Sequence, residues 1–174
     1  MGKIRRATPA DHARLGELAE QVFAIYGNDY GLMIPAYARD VRVITLVYEE
    51  DEDLVGFIQV GFLEVEEDRR QLVADVLAVA VAPGYQGDGR GTALFRKAFE
   101  VLKPMRRRRA VMDVQLTVAD TNGPAATLFR RLGFVELDET YGTYEGGQRA
   151  IRMGLGDATL QEESTAPGYR RRGA

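Results

Sequence analysis

The residues with the most chemical content lie in one stretch, Val79-Ala80-Val81-Ala82-Pro83-Gly84-Tyr85-Gln86-Gly87-Asp88-Gly89-Arg90-Gly91-Thr92. An apolar run stops at Pro83, glycine stands at 87, 89 and 91, and a helical pattern leaves from there. Glycine has no Cβ, so neighbouring amide N–H groups can turn toward one point. The first N–H groups of the outgoing helix lack partners inside it and carry the positive end of its dipole. An anion seated there is held by main-chain donors without a basic side chain, and phosphate suits such a seat. Three readings compete with this one. A Walker loop needs a lysine before its Ser/Thr, and here Gly91 precedes Thr92. A dinucleotide fingerprint needs Gly-x-Gly-x-x-Gly inside a parallel strand-helix-strand series, and neither is present. A plain glycine turn between a strand and a helix also matches.

Asp75 is the second feature, the only ionisable residue in the run Leu72 to Ala82. A carboxylate in such a strand is costly unless hydrogen-bonded, and burial shifts its pKa upward. It is either a base tuned toward neutral pH or a structural aspartate bonded to nearby backbone or pointing to an edge. His12 is the sole histidine and there is no cysteine. This argues against a Ser-His-Asp triad, a thiolate nucleophile, a disulfide framework and any metal site built on Cys or several His. His12 itself reads as a surface side chain. Arg106 to Arg109 follows a helix C-terminus, where cations complement the dipole. Glu49 to Asp53 and Glu64 to Asp68 read as solvated hairpin turns. A formal charge of −3 argues against nucleic-acid binding, which rests on neutralising phosphates.

Positioning these residues requires a sheet and helices. Lys3 to Ala7 suits a short strand. Thr8-Pro9-Ala10-Asp11 reads as a helix start, followed by Leu15, Leu18, Ala19 and Val22 at helical spacing. A second short helix ends near Arg39. Val43 to Tyr48 and Leu54 to Glu64 read as strands, with Glu66 to Arg70 as a turn. The length and valine content of Leu72 to Ala82 suit a central strand covered on both faces. Leu94, Phe95, Ala98, Phe99 and Leu102 give a helix that the pattern stops at Pro104. Ala110 to Val118 alternates, with Met112, Val114, Leu116 and Val118 on one face. Ala125, Leu128, Phe129 and Leu132 form a last helical face before Gly133, and Phe134 to Leu137 and Ala150 to Leu155 close the sheet around a polar loop. The order predicts an α+β fold.

The chain's 174 residues suffice for one domain, taken as residues 1–156, and residues 157–174 read as a disordered polar tail. Apolar and charged fractions of 45% and 28% are those of a soluble globular chain. No apolar stretch is long enough for a bilayer span and the first residues lack a signal-peptide core, so a cytoplasmic address and no membrane partner are expected.

Gln86-x-x-Gly89-x-Gly91 resembles the Gln/Arg-x-x-Gly-x-Gly/Ala signature of the GNAT superfamily of acyl-CoA N-acyltransferases. The likeness extends upstream to Val81-x-Pro83. Downstream, Asn122 and Ala125-Ala126-x-Leu128-Phe129-x-x-Leu132-Gly133-Phe134 resemble that family's asparagine, helix and Gly-Phe strand start. Element order is similar from Lys3 to Leu155, and the motifs are specific from Asp75 to Phe134. The resemblance implies a mixed, mostly antiparallel twisted sheet flanked by helices and splayed at its central strands. It implies an acetyl or short-acyl transfer from acetyl-CoA to a primary amine, small molecule or peptide, by direct attack; a homodimer stays open. The alternative is a catalytically idle acyl-CoA-binding sensor or scaffold.

Residue by residue, the resemblance implies that backbone at Val79, Ala80 and Val81 pairs with the pantetheine arm. Gln86, Gly87, Asp88, Gly89, Arg90, Gly91 and Thr92 wrap the pyrophosphate. Asn122 touches the cofactor, reads equally as a helix N-cap, and can be both. Asp75 lies eleven positions before Gln86, where several members carry a glutamate base, and its shorter side chain suggests a relaying water. The family's tyrosine acid, seven residues after the asparagine, is replaced by Phe129 in the cofactor-binding segment. Tyr141 and Tyr144 are the remaining candidates to supply a proton or line the acceptor pocket, or else are plain exposed loop residues. Tyr26, Tyr30, Met33 and Tyr37 fall where the family places acceptor-binding helices, with core packing as the other reading.

Overall fold

The computed structural model describes residues 2–65, 71–108 and 111–155, with the main chain alone at residue 112. The expected turn at Glu66 to Arg70, Arg109, and the tail over residues 156–174 lie outside the described residues. Strand β1 is Lys3–Arg6. The helix start at Thr8-Pro9 is present as a single 3-10 turn, Pro9–Asp11, that leads into α1, His12–Phe23. Thr8 donates to Asp11 Oδ2 through its N–H at 2.6 Å and its hydroxyl at 2.9 Å. Arg5 from β1 grips the same carboxylate at 2.8 and 2.9 Å. The Arg5 bond is the main reason the Asp11 pKa falls well below the usual carboxylate range.

Helix α2, Tyr30–Arg39, lies close against α1. A Cβ at Gly16 of α1 would stand 2.6 Å from the carbonyl oxygen of Gly31, so only glycine permits this approach. Strands β2, Val43–Glu50, and β3, Asp53–Glu64, pair antiparallel, as do β1 and β2. Leu15, Leu18, Ile34, Val47 and Phe57 join in one core. Gln59, fully buried on β3, donates to the Ile34 carbonyl at 2.9 Å and to Thr45 Oγ1 at 3.2 Å, pinning α2 to the sheet.

Strand β4 is Leu72–Val81. Its even-numbered residues Ala74, Val76, Ala78 and Ala80 are buried, but Leu77 is 37% exposed. The expectation of cover on both faces is therefore corrected. Valine content reports strand propensity and one buried face; it does not report what lies on the other.

Helix α3, Arg90–Arg107, runs through Pro104 instead of stopping there. Proline forfeits one i−4 bond. The buried stripe Leu94, Phe95, Ala98 and Leu102 holds the helix up to that point, and Arg108 N still reaches Pro104 O at 3.2 Å. Strand β5 is Val111–Ala119, with Val114, Leu116 and Val118 buried as expected. Helix α4 is Gly123–Arg131. Strand β6, Phe134–Thr143, is six residues longer than the expected Phe134 to Leu137, and β7 is Arg149–Leu155. A polar, mostly exposed sequence forms this strand because main-chain pairing with β7 holds it, with two register shifts. Tyr141 thus lies on a strand, not in a loop.

The seven strands are ordered β1-β2-β3-β4-β5-β7-β6, the α+β arrangement expected. The chain forms two compact units, Met1–Gly61 with Val76–Val101, and Phe62–Asp75 with the chain from Leu102. Among the described residues no helix is long and apolar enough to cross a membrane.

Replacing Gly16 with alanine tests the helix contact. Propensity favours alanine by about 1 kcal/mol, but a forced separation of packed backbones costs about 1–3 kcal/mol. Urea unfolding is expected to show net destabilisation of Gly16→Ala.

Candidate active site

In the first unit, the turn after β4 has the geometry its glycines suggested. Gly84, Gly87 and Gly89 have φ of +88°, +91° and +80°, the left-handed region that L side chains rarely enter. No heavy atom lies within 4 Å of where a Cβ would stand on any of the three, so the main chain there borders open space. The first turn of α3 is closed by Ala93 N donating to Gly89 O at 2.9 Å. The N–H groups of Arg90, Gly91 and Thr92 precede that bond and have no partner within the helix. Such a cradle fits a diphosphate through main-chain donors and helix dipole.

The side chains of this turn do something else. Gln86 Nε2 donates to the Val81 carbonyl at 2.8 Å, and Ala82 N donates to Val55 O at 2.8 Å. Gln86 therefore ties the turn to the end of β4, using the carbonyl of one of the three residues expected to meet a pantetheine arm. Arg90 pairs with Glu50 at the end of β2 at 2.8 and 3.1 Å and also bonds the Tyr85 carbonyl. Asp88 is exposed and meets Arg90 at 3.1 Å. Glu50 went unnoticed in the sequence because it lies within an acidic stretch that reads as a solvated turn.

Also in this unit, a groove of about 600 Å³ is bordered by α1 and α2, with His12, Glu17, Glu20, Asp29, Leu32 and Arg39 on its walls. None of Tyr26, Tyr30, Met33 and Tyr37 lines it. Tyr26 is buried, and Tyr30 and Tyr37 pack against the core, with Phe23 and Tyr30 ring centres 5.2 Å apart.

In the second unit, Asp75 meets Arg152 of β7, whose Nη1 donates to both carboxylate oxygens at 3.1 and 3.3 Å. Arg152 is itself fixed by β5. Its Nε and Nη2 donate to Gln115 Oε1 at 3.1 and 2.7 Å, and Nη1 donates to Thr117 Oγ1 at 3.1 Å. Gln115 and Thr117 share the polar face of β5, opposite its buried valines and leucine, and Thr117 stands directly across from Arg152 in register. The Tyr141 ring lies over the guanidinium at 5.0 Å and is 55% exposed. Burial raises the Asp75 pKa above the ordinary carboxylate value, and Arg152 opposes that only in part.

Of the expected proton carriers, Asp75 and Tyr141 thus converge on Arg152. Tyr144 is half-buried in the β6–β7 turn, where its N–H donates to Gln148 O at 2.8 Å. Arg152 was missed; its signal was a lone charge inside the apolar closing run Ala150 to Leu155. Asn122 caps α4, with its Oδ1 accepting from Ala125 N at 3.2 Å. Phe129 is 4% exposed and packs against Phe134 at 6.2 Å, so its ring serves the core. Among the described residues no cluster of metal-ligating side chains occurs.

Residues 42–136 match the family model of the acetyltransferase (GNAT) domain, more than half of the chain, and the chain belongs to that family. The streptothricin acetyltransferase of Streptomyces lavendulae is 31% identical over 109 residues, 60% of this chain and 53% of that enzyme. An N-alpha-acetyltransferase of Sulfurisphaera tokodaii is 27% identical over 122 residues, 67% of this chain and 71% of that one. The chain therefore spans only about half the length of the streptothricin enzyme. The crystal structure of Arabidopsis thaliana NAA60 in complex with acetyl-CoA superimposes with a TM-score of 0.72 at 18% identity, over 88% of this chain and 97% of that one, a likeness of fold.

Arg152→Met would leave Asp75 buried without its counter-ion, a loss of about 3 kcal/mol at neutral pH. The sign with pH follows from the raised Asp75 pKa: as pH falls through it the carboxyl becomes neutral and needs no counter-ion. Urea unfolding of wild type and variant is expected to show the largest gap at pH 7 and a narrowing gap in acid.

Proposed function

We propose that this chain is an N-acyltransferase that moves an acetyl or similar short acyl group from acyl-CoA to a primary amine. The observation that carries this reading is the row of left-handed glycines opening α3, inside the segment that matches the GNAT family. Residues Gly87 to Thr92 would hold the diphosphate of coenzyme A through their main chain, with β4 backbone at Val79 to Val81 beside the pantetheine arm. Bound acetyl-CoA supplies a thioester acyl group open to attack by a neutral amine. In this reading both units belong to one catalytic domain over residues 1–156.

Asp75 is the group we assign to the amine's proton. A general base must be ionised before reaction yet hold a proton well once it arrives. Burial favours the second property and Arg152 preserves the first. With Phe129 lacking a hydroxyl, the departing thiolate needs no side-chain acid, since a thiol of pKa about 8.5 leaves tolerably as its anion. The Tyr141 ring, which bears a hydroxyl, is seated over Arg152.

The acceptor is an amine, small molecule or peptide. The relatives' names include both kinds, streptothricin in one and an N-alpha amine in the other.

Thiol release from acetyl-CoA across polyamines, aminoglycosides, amino acids and N-terminal peptides tests the activity, with turnover of at least one amine expected. Binding of acetyl-CoA without turnover of any amine would overturn the enzyme reading. Asp75→Asn is expected to lower kcat by about 10²-fold while leaving the affinity for coenzyme A within twofold. In wild type, kcat/KM should fall as pH drops through the raised Asp75 pKa, and that acid limb should vanish in the variant. Gly89→Val, forced into φ of +80°, is expected to remove coenzyme A binding in calorimetry while circular dichroism stays native.

A further inference from the structure

We propose that Glu50 and Arg90 form a clamp that holds the glycine turn in its anion-accepting shape, and that Arg90 acts on the main chain instead of on the anion. The proposal rests on the reading that this turn takes the diphosphate of coenzyme A.

An arginine between two glycines at the mouth of a phosphate turn invites the assumption that its charge meets the phosphate. The geometry points elsewhere. Nε and Nη2 of Arg90 donate to Oε2 and Oε1 of Glu50 at 2.8 and 3.1 Å, a two-pronged pair. Nη1 donates to the Tyr85 carbonyl at 2.8 Å and to Asp88 Oδ2 at 3.1 Å. Four bonds thus occupy a group that has five N–H donors. The guanidinium also lies 5.3 Å from the centre of the Tyr85 ring. Two carboxylates surround this one cation, so it carries no excess positive charge toward an incoming anion.

These bonds join three places: the last residue of β2, the turn at Tyr85 and Asp88, and the first residue of α3. The turn between them contains the left-handed Gly87 and Gly89, whose Cβ positions would meet nothing within 4 Å. Packing therefore does not hold these residues, and glycine by itself samples many conformations. A rigid planar group bonded on both sides of them removes that freedom before any ligand arrives, which favours binding. Arg90 and Glu50 are partly shielded, their side chains 15% and 22% exposed.

Glu50→Gln separates the two roles by sign. It makes the neighbourhood more positive by one charge and releases the guanidinium. If Arg90 were a phosphate ligand in waiting, the variant would bind coenzyme A more tightly. If the pair is a clamp, the variant binds it more weakly, by about tenfold in calorimetry. Arg90→Lys should weaken binding in the same direction, since an ammonium cannot bridge Glu50 and the Tyr85 carbonyl as a planar fork does. The double swap Glu50→Arg with Arg90→Glu should regain part of the loss. Amide hydrogen exchange on the ligand-free chain gives a readout independent of coenzyme A. Exchange over residues 86–92 should accelerate several-fold in Glu50→Gln while β2 and β3 amides keep their wild-type rates. Unchanged exchange in the turn, or equal or tighter binding of coenzyme A, overturns the clamp. Local acceleration in a chain whose wild type binds no coenzyme A would leave the clamp standing and remove the cofactor reading alone.

Discussion

Between Ala82 and Arg90 the main chain must turn from a strand into a helix within a few residues, and that demand constrains everything near it. Three positive φ angles accomplish the turn, at Gly84, Gly87 and Gly89. A side chain at any of them would strain the backbone before it met a neighbour, because the space beyond is open. The surrounding residues then serve the turn. Gln86 fastens it to the end of β4, Arg90 fastens it to β2, and Ala93 closes the first helical bond onto Gly89. The shape of the turn thus rests on the three glycines together with the Gln86 and Arg90 bonds that fasten it.

The two carboxylate–guanidinium pairs Asp11–Arg5 and Asp75–Arg152 look alike in distance and differ in outcome. Asp11 accepts from Arg5 and also from the N–H and hydroxyl of Thr8, and its pKa falls. It lends stability above the ordinary carboxylate pKa, and that stability is lost as pH falls through the lowered value. At Asp75 burial outweighs Arg152 and the pKa rises, so its charged form works against folding as pH climbs through the raised value. The first pair stabilises a helix entry. The second maintains a carboxylate with raised proton affinity, at the expense of stability.

What could be read from the sequence was whatever depends on near neighbours. The glycine turn, the helix start at Thr8, the alternation of β5 and the N-cap at Asn122 all rest on spacings of a few residues. Asp75 stood out because one acid in an apolar run is anomalous wherever its partner lies. The partner did not stand out, because Arg152 is 77 residues away and is brought there by strand pairing that no local pattern encodes. The pairing of Arg90 with Glu50, 40 residues apart, was hidden for the same reason. The length of β6 was obscured because a solvated outer strand is held through its main chain, and its side chains carry no apolar alternation. Pro104 misled because a proline near a helix end can be tolerated when the residues before it are anchored in a core.

The outermost position of β6 has a further consequence. A terminal strand offers unpaired amides and carbonyls to any passing chain, and a long flat one invites stacking of sheet upon sheet. Here the register slips twice, between Glu136 and Asp138 and between Asp138 and Gly142, and Glu136, Asp138 and Glu139 place three acids along the same stretch. A kinked, negatively charged rim is a poor template for adding another strand. This border is therefore poorly suited to runaway association at high concentration.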